Sequence, residues 1–383
     1  MEKEIKNIKK AAARIKKAAG NKERIILYGD ADMDGVSSVI ILKEAIGNLG
    51  GSFDNIRVYF PDRETEGYGI NKKALNYLKK YAPALFIALD CGIGNFQEVK
   101  IAKNLGFEVM IIDHHKVLGS IPQASVVVNP KQKGDKYAFK EFAAAGVVFK
   151  LAEALLGKKM HQSLRNNFLE LAALATIADM MPKEKDNLEF LGVGLSSLKK
   201  SFRPGLRVFR SLHDDSGSQA LSQKIISACH AGGNKNHLNE GYLLLTAASE
   251  AKAEILAREL IKKSYVRQER IKVIVEEIEE KVLKKMSDLI IFEGDRGWPI
   301  LMAGPAASKI CHVYRKPVFL YSRGRTTSQG AVRTPVGLDG VKAMMSCSKL
   351  LETYGGHPRA AGFRVKNKNL EKFERCLIRY FKS

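Results

Sequence analysis

The sequence predicts an α/β protein: an N-terminal doubly wound parallel sheet, a helical connector with one long linking helix, and a smaller C-terminal α/β domain. Three observations predict it. Between 24 and about 130, short apolar runs alternate with stretches of helical periodicity, the pattern of parallel strands joined by crossover helices. From about 141 to 287 the strand pattern stops, and from 288 it returns. Domains are therefore expected at 1–190, 191–287 and 288–383.

The elements follow in order. The opening stretch, MEKEIKNIKKAAARIKKAAG, places Ile5, Ile8, Ala12, Ile15 and Ala19 at helical spacing among lysines. Such a helix either docks on the fold or serves as a basic arm for nucleic acid or membrane. Strands are expected at 24–29, 56–60, 85–89, 107–112 and 125–128, as short apolar runs of the kind buried on both faces. Helices are expected between them at 35–48, 71–80 and 95–105. More are expected at 142–156, 161–178 and 187–200, with shorter ones to about 247. The stretch 249–287 has no Gly or Pro and reads as one helix, with Ile255, Leu260, Ile271, Ile274, Ile278 and Val282 as its apolar stripe. In the last domain, DLIIFEG, PILMAG, PVFLYS and QGAVR read as strands, with helices at 303–314, 338–353 and 367–381.

At 45% hydrophobic and 27% charged residues, the chain of 383 has a globular balance. Lys and Arg number 63 against 41 Asp and Glu, a net charge of +22. That excess fits a polyanionic partner, nucleic acid before an anionic membrane surface, with a merely soluble basic surface as the plainer reading. Cys91, Cys229, Cys311, Cys347 and Cys376 form no CxxC pair. Neither a zinc site nor a disulfide framework is expected, and a reducing compartment is. No run approaches the roughly 18 apolar residues of a membrane span. The N-terminus lacks the apolar core of a signal peptide. A cytoplasmic protein with no membrane partner is expected.

The chemistry gathers at strand ends. ERIILYG runs into Asp30-Ala31-Asp32-Met33-Asp34-Gly35, ALFIAL into Asp90-Cys91-Gly92, and FEVMII into Asp113-His114-His115. Open α/β sheets bind ligands in the crevice at the carboxyl ends of their strands. One edge would thus hold at least five carboxylates and two imidazoles. So many acids do not all ionise side by side unless cations sit among them. Carboxylates mixed with imidazole suit Mn²⁺ or Mg²⁺, and Zn²⁺ less. Two ions about 3.5–4 Å apart suit hydrolytic phosphoryl transfer. An EF-hand is excluded: a strand precedes the acids, and an apolar helix stands where its closing glutamate belongs. For DADMDG alone, a plain acidic turn is the alternative. His161, His213, His230, His237 and His312 have no motif around them and read as surface or satisfied core residues, substrate contact being the alternative for His230 and His237 near GGN. Trp298 reads as packing, and Cys91 as a small filler.

Asp113-His114-His115 is the triplet that names the DHH phosphoesterases, and the chain resembles that family. DADMDG with Ser37 and Ser38 resembles its first motif, ALDCG the second, and TIADMMP at 176–182 the fourth. The last brings in Asp179, which strand logic does not find. GGHPRAAGF at 355–363 resembles the glycine-histidine motif of the DHHA1 domain. The resemblance runs from about 24 to 365. It is greatest to RecJ-type single-strand exonucleases, through FPDRETEGYG at 60–69 and GWPILMAGPAASKICHVYRKPVFLYS. The chain looks like a short core of archaeal or minimal type, without the OB-fold of longer bacterial forms. Tyr28 stands where many relatives have a histidine, and Ser227–Asn234 lacks an expected arginine.

The resemblance implies a Mn²⁺- or Mg²⁺-dependent phosphodiesterase with two ions, an exonuclease on single-stranded DNA or RNA with 5′→3′ polarity favoured. Asp34, Asp90, His114 and Asp179 would hold one ion, and Asp32 and Asp90, with Asp30, the other. Asp113, His114 and His115 form the catalytic triplet, with His115 facing the scissile phosphate. Arg63 and Arg333 would grip a terminal phosphate from either side of an interdomain cleft, a surface pair with Glu64 or Glu66 being the alternative for Arg63. Gly355, Gly356, His357 and Arg359 would approach the substrate, with a structural turn as the alternative. Replication or repair proteins are candidate partners. Two rivals stand beside this reading. One is a small-substrate hydrolase for nanoRNA, cyclic dinucleotides or phosphoadenosine phosphate. The other is a non-catalytic replisome scaffold, against which the full set of acids counts.

Overall fold

A computed structural model describes residues 4–50, 53–213, 217–282 and 289–382. The chain forms two compact units, Met1–Ser264 and Tyr265–Ser383.

The first unit begins with α1 (Ile8–Gly20), β1 (Ile25–Gly29), α2 (Met33–Asn48), β2 (Ile56–Tyr59), α3 (Lys72–Leu78), β3 (Ala84–Leu89), α4 (Phe96–Asn104), β4 (Phe107–Ile112) and β5 (Val126–Val128). The five strands make one sheet in the order β2-β1-β3-β4-β5, every pair parallel. The uninterrupted apolar runs are explained by cover on both faces. Leu27, Ile87 and Met110 pack on one side with residues of α1 and α2, and Ile26, Phe86 and Val109 on the other with α3 and α4. Then come α5 (Ala144–Leu156), α6 (Gln162–Ala178), α7 (Asp186–Ser197), α8 (Pro204–Ser211) and α9 (Ser218–Ala231). A short hairpin, β6 (Asn234–Lys235) with β7 (Leu238–Asn239), leads into α10 (Glu240–Leu245).

Of the two readings of the N-terminal helix, docking is the one observed. α1 buries Ile8, Ala11, Ala12, Ile15 and Ala18. Its Arg14 donates to Glu108 at 2.7 Å and to Glu23 at 2.6 Å. The long helix is α11 (Glu250–Val282), and the division between units falls inside it. Its expected single stripe is two shorter ones. Ala253, Ala257 and Leu260 join the first unit's core, and Ile271, Ile274 and Ile278 the second's, while Ile255 is 70% exposed. The Val282 side chain and residues 283–288 lie outside the described part.

The second unit continues with β8 (Ile291–Asp295), α12 (Ile300–Tyr314), β9 (Val318–Arg323), β10 (Thr327–Arg333), α13 (Gly340–Ser346), β11 (Leu351–His357), β12 (Ala360–Lys366) and α14 (Leu370–Lys382). Its sheet runs β11-β12-β10-β9-β8, antiparallel except between β8 and β9. Three expectations fail here. PILMAG is not a strand: Pro299 caps α12, whose apolar run is the buried face Ala303, Ala306, Ala307 and Ile310. The helix expected to 353 stops at Ser346, and GGHPRAAGF forms the end of β11, a turn and most of β12. Gly356 has φ +124°, and a Cβ there would lie 2.7 Å from Ala360 O, so the strands approach only because it is glycine. Finally, Cys347 and Cys376 are joined by a disulfide that ties the end of α13 to α14, where none was expected. Trp298 is packing, as read: it is buried, with Nε1 donating to Glu277 at 2.7 Å. Among the described residues no helix is long and apolar enough to cross a membrane.

Candidate active site

Backbone hydrogen bonds carry the sheet one residue past its strand ends. Asp30 N donates to Leu89 O at 3.2 Å, Asp90 N to Ile112 O at 3.0 Å, and Asp113 N to Val128 O at 3.0 Å. Three acids are thereby fixed along one edge, where β1 lies between β2 and β3. Asp90 takes a left-handed φ of +61°, strain that marks functional positions when the surroundings over-determine it. Asp32 caps α2, its Oδ1 accepting from Asp34 N and Gly35 N at 3.0 Å each. A Cβ on Gly35 would lie 2.3 Å from Asp30 O, so only glycine lets the helix start here. Asp34 accepts from the first N–H groups of α5, Ala144 at 2.6 Å and Ala145 at 2.7 Å. Asp179 follows the last residue of α6.

At the centre stands His114, fully buried. Its Nδ1 lies 2.6 Å from Phe142 O, and a carbonyl can only accept, so Nδ1 carries the proton. Nε2 then presents a lone pair to Asp90 Oδ1 at 3.2 Å, Asp179 Oδ2 at 3.3 Å and Asp34 Oδ2 at 3.6 Å. Asp90 Oδ1 is buried without a hydrogen-bond partner among the described residues. A second group, Asp30, Asp32 and Asp90, brings ligand atoms within 4.8 Å of one another. Asp90 belongs to this group and to the His114 set. Hard oxygen donors, one imidazole and an unsatisfied buried oxygen fit Mn²⁺ or Mg²⁺.

The charges agree. Burial pushes Asp34 and Asp90 well above the carboxylate range, and the surrounding acids push further. Asp179 rises to about 7 for the same two reasons. Burial alone would raise Asp32, but Arg63 and His230 prevail and hold it at about 2. Asp113 works differently. It accepts from Ile93 N at 3.0 Å, His114 N at 2.7 Å, His115 N at 3.1 Å and His115 Nδ1 at 2.8 Å. Against burial, Asp113 holds His115 at about 9, and His115 holds Asp113 far down. Asp113 thus aims and charges His115 from beneath.

Arg63 is not paired with Glu64 or Glu66. Its Nε donates to Asp30 Oδ1 at 3.0 Å, and Nη2 bonds Asp30 Oδ2 and, at 2.8 Å, Asp32 Oδ2. Tyr28 turns away from the acids: its OH donates to Gly69 O at 2.8 Å and accepts from Asn71 Nδ2 at 3.2 Å. Two neighbours are not among the expected site residues: His230, read as surface or core, and Tyr68. His230 Nε2 accepts from Met33 N at 3.4 Å. Tyr68 OH donates to Asp90 O at 3.1 Å and lies 3.3 Å from His115 Nδ1. His161 caps α6 and His213 lies 2.9 Å from Phe209 O, structural roles as read. Cys91 is a buried filler whose thiol burial pushes well above its ordinary range. In the second unit, Arg333 Nε donates to Ser308 Oγ at 2.9 Å at the end of β10. Gly355, Gly356 and His357 end β11, which β12 separates from β10, and Arg359 lies in the β11–β12 turn, its carbonyl 3.3 Å from Thr334 N. These five gather at one end of the second sheet.

A parallel sheet carrying acids and a paired histidine on its carboxyl edge defines a DHH-type protein, and residues 24–176 match the family model described as "DHH family, N-terminal domain". Over those residues the chain is similar to the DHH family, and over nearly its whole length it resembles RecJ proteins. It is 33% identical over 370 residues to the single-stranded-DNA-specific exonuclease RecJ of Bacillus subtilis, covering 95% of this chain and 46% of that protein. A crystal structure of RecJ with Mn²⁺ from Thermus thermophilus superposes with a TM-score of 0.85 at 26% identity, over 100% of this chain and 55% of that one. A second, of exonuclease RecJ bound to manganese, gives 0.78 at 28% identity and covers 96% of that chain. The chain spans about half the length of the curated relatives first matched, 46% and 52%.

Proposed function

We propose that this chain is a Mn²⁺- or Mg²⁺-dependent exonuclease that removes mononucleotides from the 5′ end of single-stranded DNA. One observation carries the reading: Asp34, Asp90 and Asp179 ring the lone pair of His114 while Asp90 also serves a second acid group. The relatives' activity and their bound Mn²⁺ support it. Asp34, Asp90, His114 and Asp179 would hold one ion and Asp32 with Asp90 the other. When bound, such ions supply hydroxide at neutral pH and neutralise phosphate charge. Asp34, anchored on the start of α5, and Asp90, anchored on β4, fix the ligand geometry. Asp113 keeps His115 protonated, so its Nε2–H can donate to the phosphate or the leaving oxygen. Arg63 would hold the terminal phosphate, since a planar fork suits a dianion, and Arg333 of the second unit would serve as a substrate contact. Gly355, Gly356, His357 and Arg359 would approach the strand's backbone. A net charge of +22 would hold that backbone, so binding should weaken steeply with salt. Replication or repair proteins that expose single strands are the partners this activity would meet.

The test is a digestion time course with Mn²⁺ on single-stranded DNA and RNA labelled at either end, with 5′-phosphate or 5′-hydroxyl. Label at the 5′ end should appear first, as mononucleotide, fastest from phosphorylated DNA, and chelator should stop it. Label lost first from the 3′ end, with no effect of the phosphate, would refute the polarity.

A further inference from the structure

We infer that Asp30 is not a metal ligand but the buried clamp that orients Arg63 toward a terminal phosphate. This rests on the reading of Arg63 as the phosphate contact. Asp30 stands in the acid motif and within 4.8 Å of Asp32 and Asp90, so proximity alone would make it a ligand. Both its oxygens take Arg63 in a two-point pair, whereas Asp32 meets that guanidinium through Nη2 alone, at 2.8 Å. Oδ1 accepts from Ala31 N at 2.8 Å and Arg63 Nε at 3.0 Å, and Oδ2 bonds Arg63 Nη2. The side chain is 2% exposed, so this ion pair is held away from water on the Asp30 side. The contrast with Asp90 is direct: Asp90 Oδ1 has no hydrogen-bond partner among the described residues, and Asp30 has a guanidinium laid side-on across it.

The side-on pair has a geometric consequence. Two parallel bonds through Nε and Nη2 fix the guanidinium plane. They leave the Nη1 edge, on a side chain 32% exposed, for a ligand. The loop carrying Arg63 is itself fixed. Tyr28 holds Gly69, Asn71 holds Tyr28, and Glu66 accepts from Tyr59 OH at 3.0 Å. Tyr28 thus anchors the arginine's loop. A dication bound to Asp30 would stand beside a guanidinium already on that carboxylate, a like-charge contact at short range.

The experiment has two arms on the full chain. In the first, Mn²⁺ is titrated by electron paramagnetic resonance into wild type, Asp30→Asn and Asp90→Asn. Asp30→Asn should keep the wild-type number of ions and their affinities, while Asp90→Asn loses at least one ion. In the second, with Ca²⁺ in place of Mn²⁺, binding of a 5′-phosphorylated trinucleotide is compared with its 5′-hydroxyl form. Wild type, Asp30→Asn, Arg63→Gln and the double variant are used. Each single variant should lose about tenfold of the phosphate preference, the worth of one charged hydrogen bond, and the double should lose no more. Weakened Mn²⁺ binding by Asp30→Asn, or additive losses, would overturn the inference while wild type still prefers the phosphate. Absence of that preference in wild type would instead sink the phosphate reading of Arg63, and this inference with it.

Discussion

Glu170 on α6 is buried away from the acid edge. It accepts from Ser201 Oγ at 2.7 Å, while its basic neighbour Arg203 is held by Glu44 at 2.7 Å. Burial pushes its carboxyl from the ordinary 4.5 up to about 7, a rise that the Ser201 bond and Arg203 only moderate. The folded value lies above the unfolded one. Stability from this group is therefore full below about 4.5 and lost as pH rises through about 7. At pH 8 the ionised form costs about 3 kcal/mol. Glu170→Gln should stabilise the fold by up to that amount in urea melts at pH 8 and change little at pH 5; an equal effect at both would contradict it. Residues differ in how legible they are. The acids announce themselves because each ends a buried strand. His230 does not: its contact with Met33 spans 197 positions and no local pattern encodes it. Tyr68 sits inside a segment quoted for its family likeness, yet its bond to the Asp90 carbonyl depends on how the loop folds back.

Elements follow the same logic. The five strands of the first sheet were readable within about a residue or two because burial on both faces demands unbroken apolar runs. In the second unit, PILMAG is an equally apolar run, and period alone does not separate a short buried strand from a buried helical turn. β11 and β12 escaped because their pairing rests on backbone and small residues, Gly355 opposite Gly362 and Gly356 opposite Ala361. α1 carried a helical stripe, but charge and spacing alone left its place open. Its Ile15 is fully buried in the first core. Ile15→Ala should lower unfolding stability by about 3 kcal/mol, measured by chemical denaturation. A loss under about 0.5 kcal/mol, the range of surface substitutions, would mean that α1 is a loose arm after all.

At the scale of the whole molecule, composition indicated a polyanionic partner, and the acid edge indicated where phosphate chemistry would occur. Composition did not indicate the Cys347–Cys376 bond, since a separation of 29 residues without a motif signals nothing until α13 and α14 pack. The central claim is that one carboxylate, Asp90, serves two cations. Asn is the variant of choice because it tolerates the left-handed backbone that Asp90 adopts. The decisive measurement is turnover of 5′-phosphorylated single-stranded DNA by Asp90→Asn in Mn²⁺, alongside its melting temperature in chelator. The account predicts turnover abolished and a melting temperature raised above wild type, because repulsion among buried acids is relieved. Turnover above about a tenth of wild type, far more than loss of a bridging ligand permits, would contradict it.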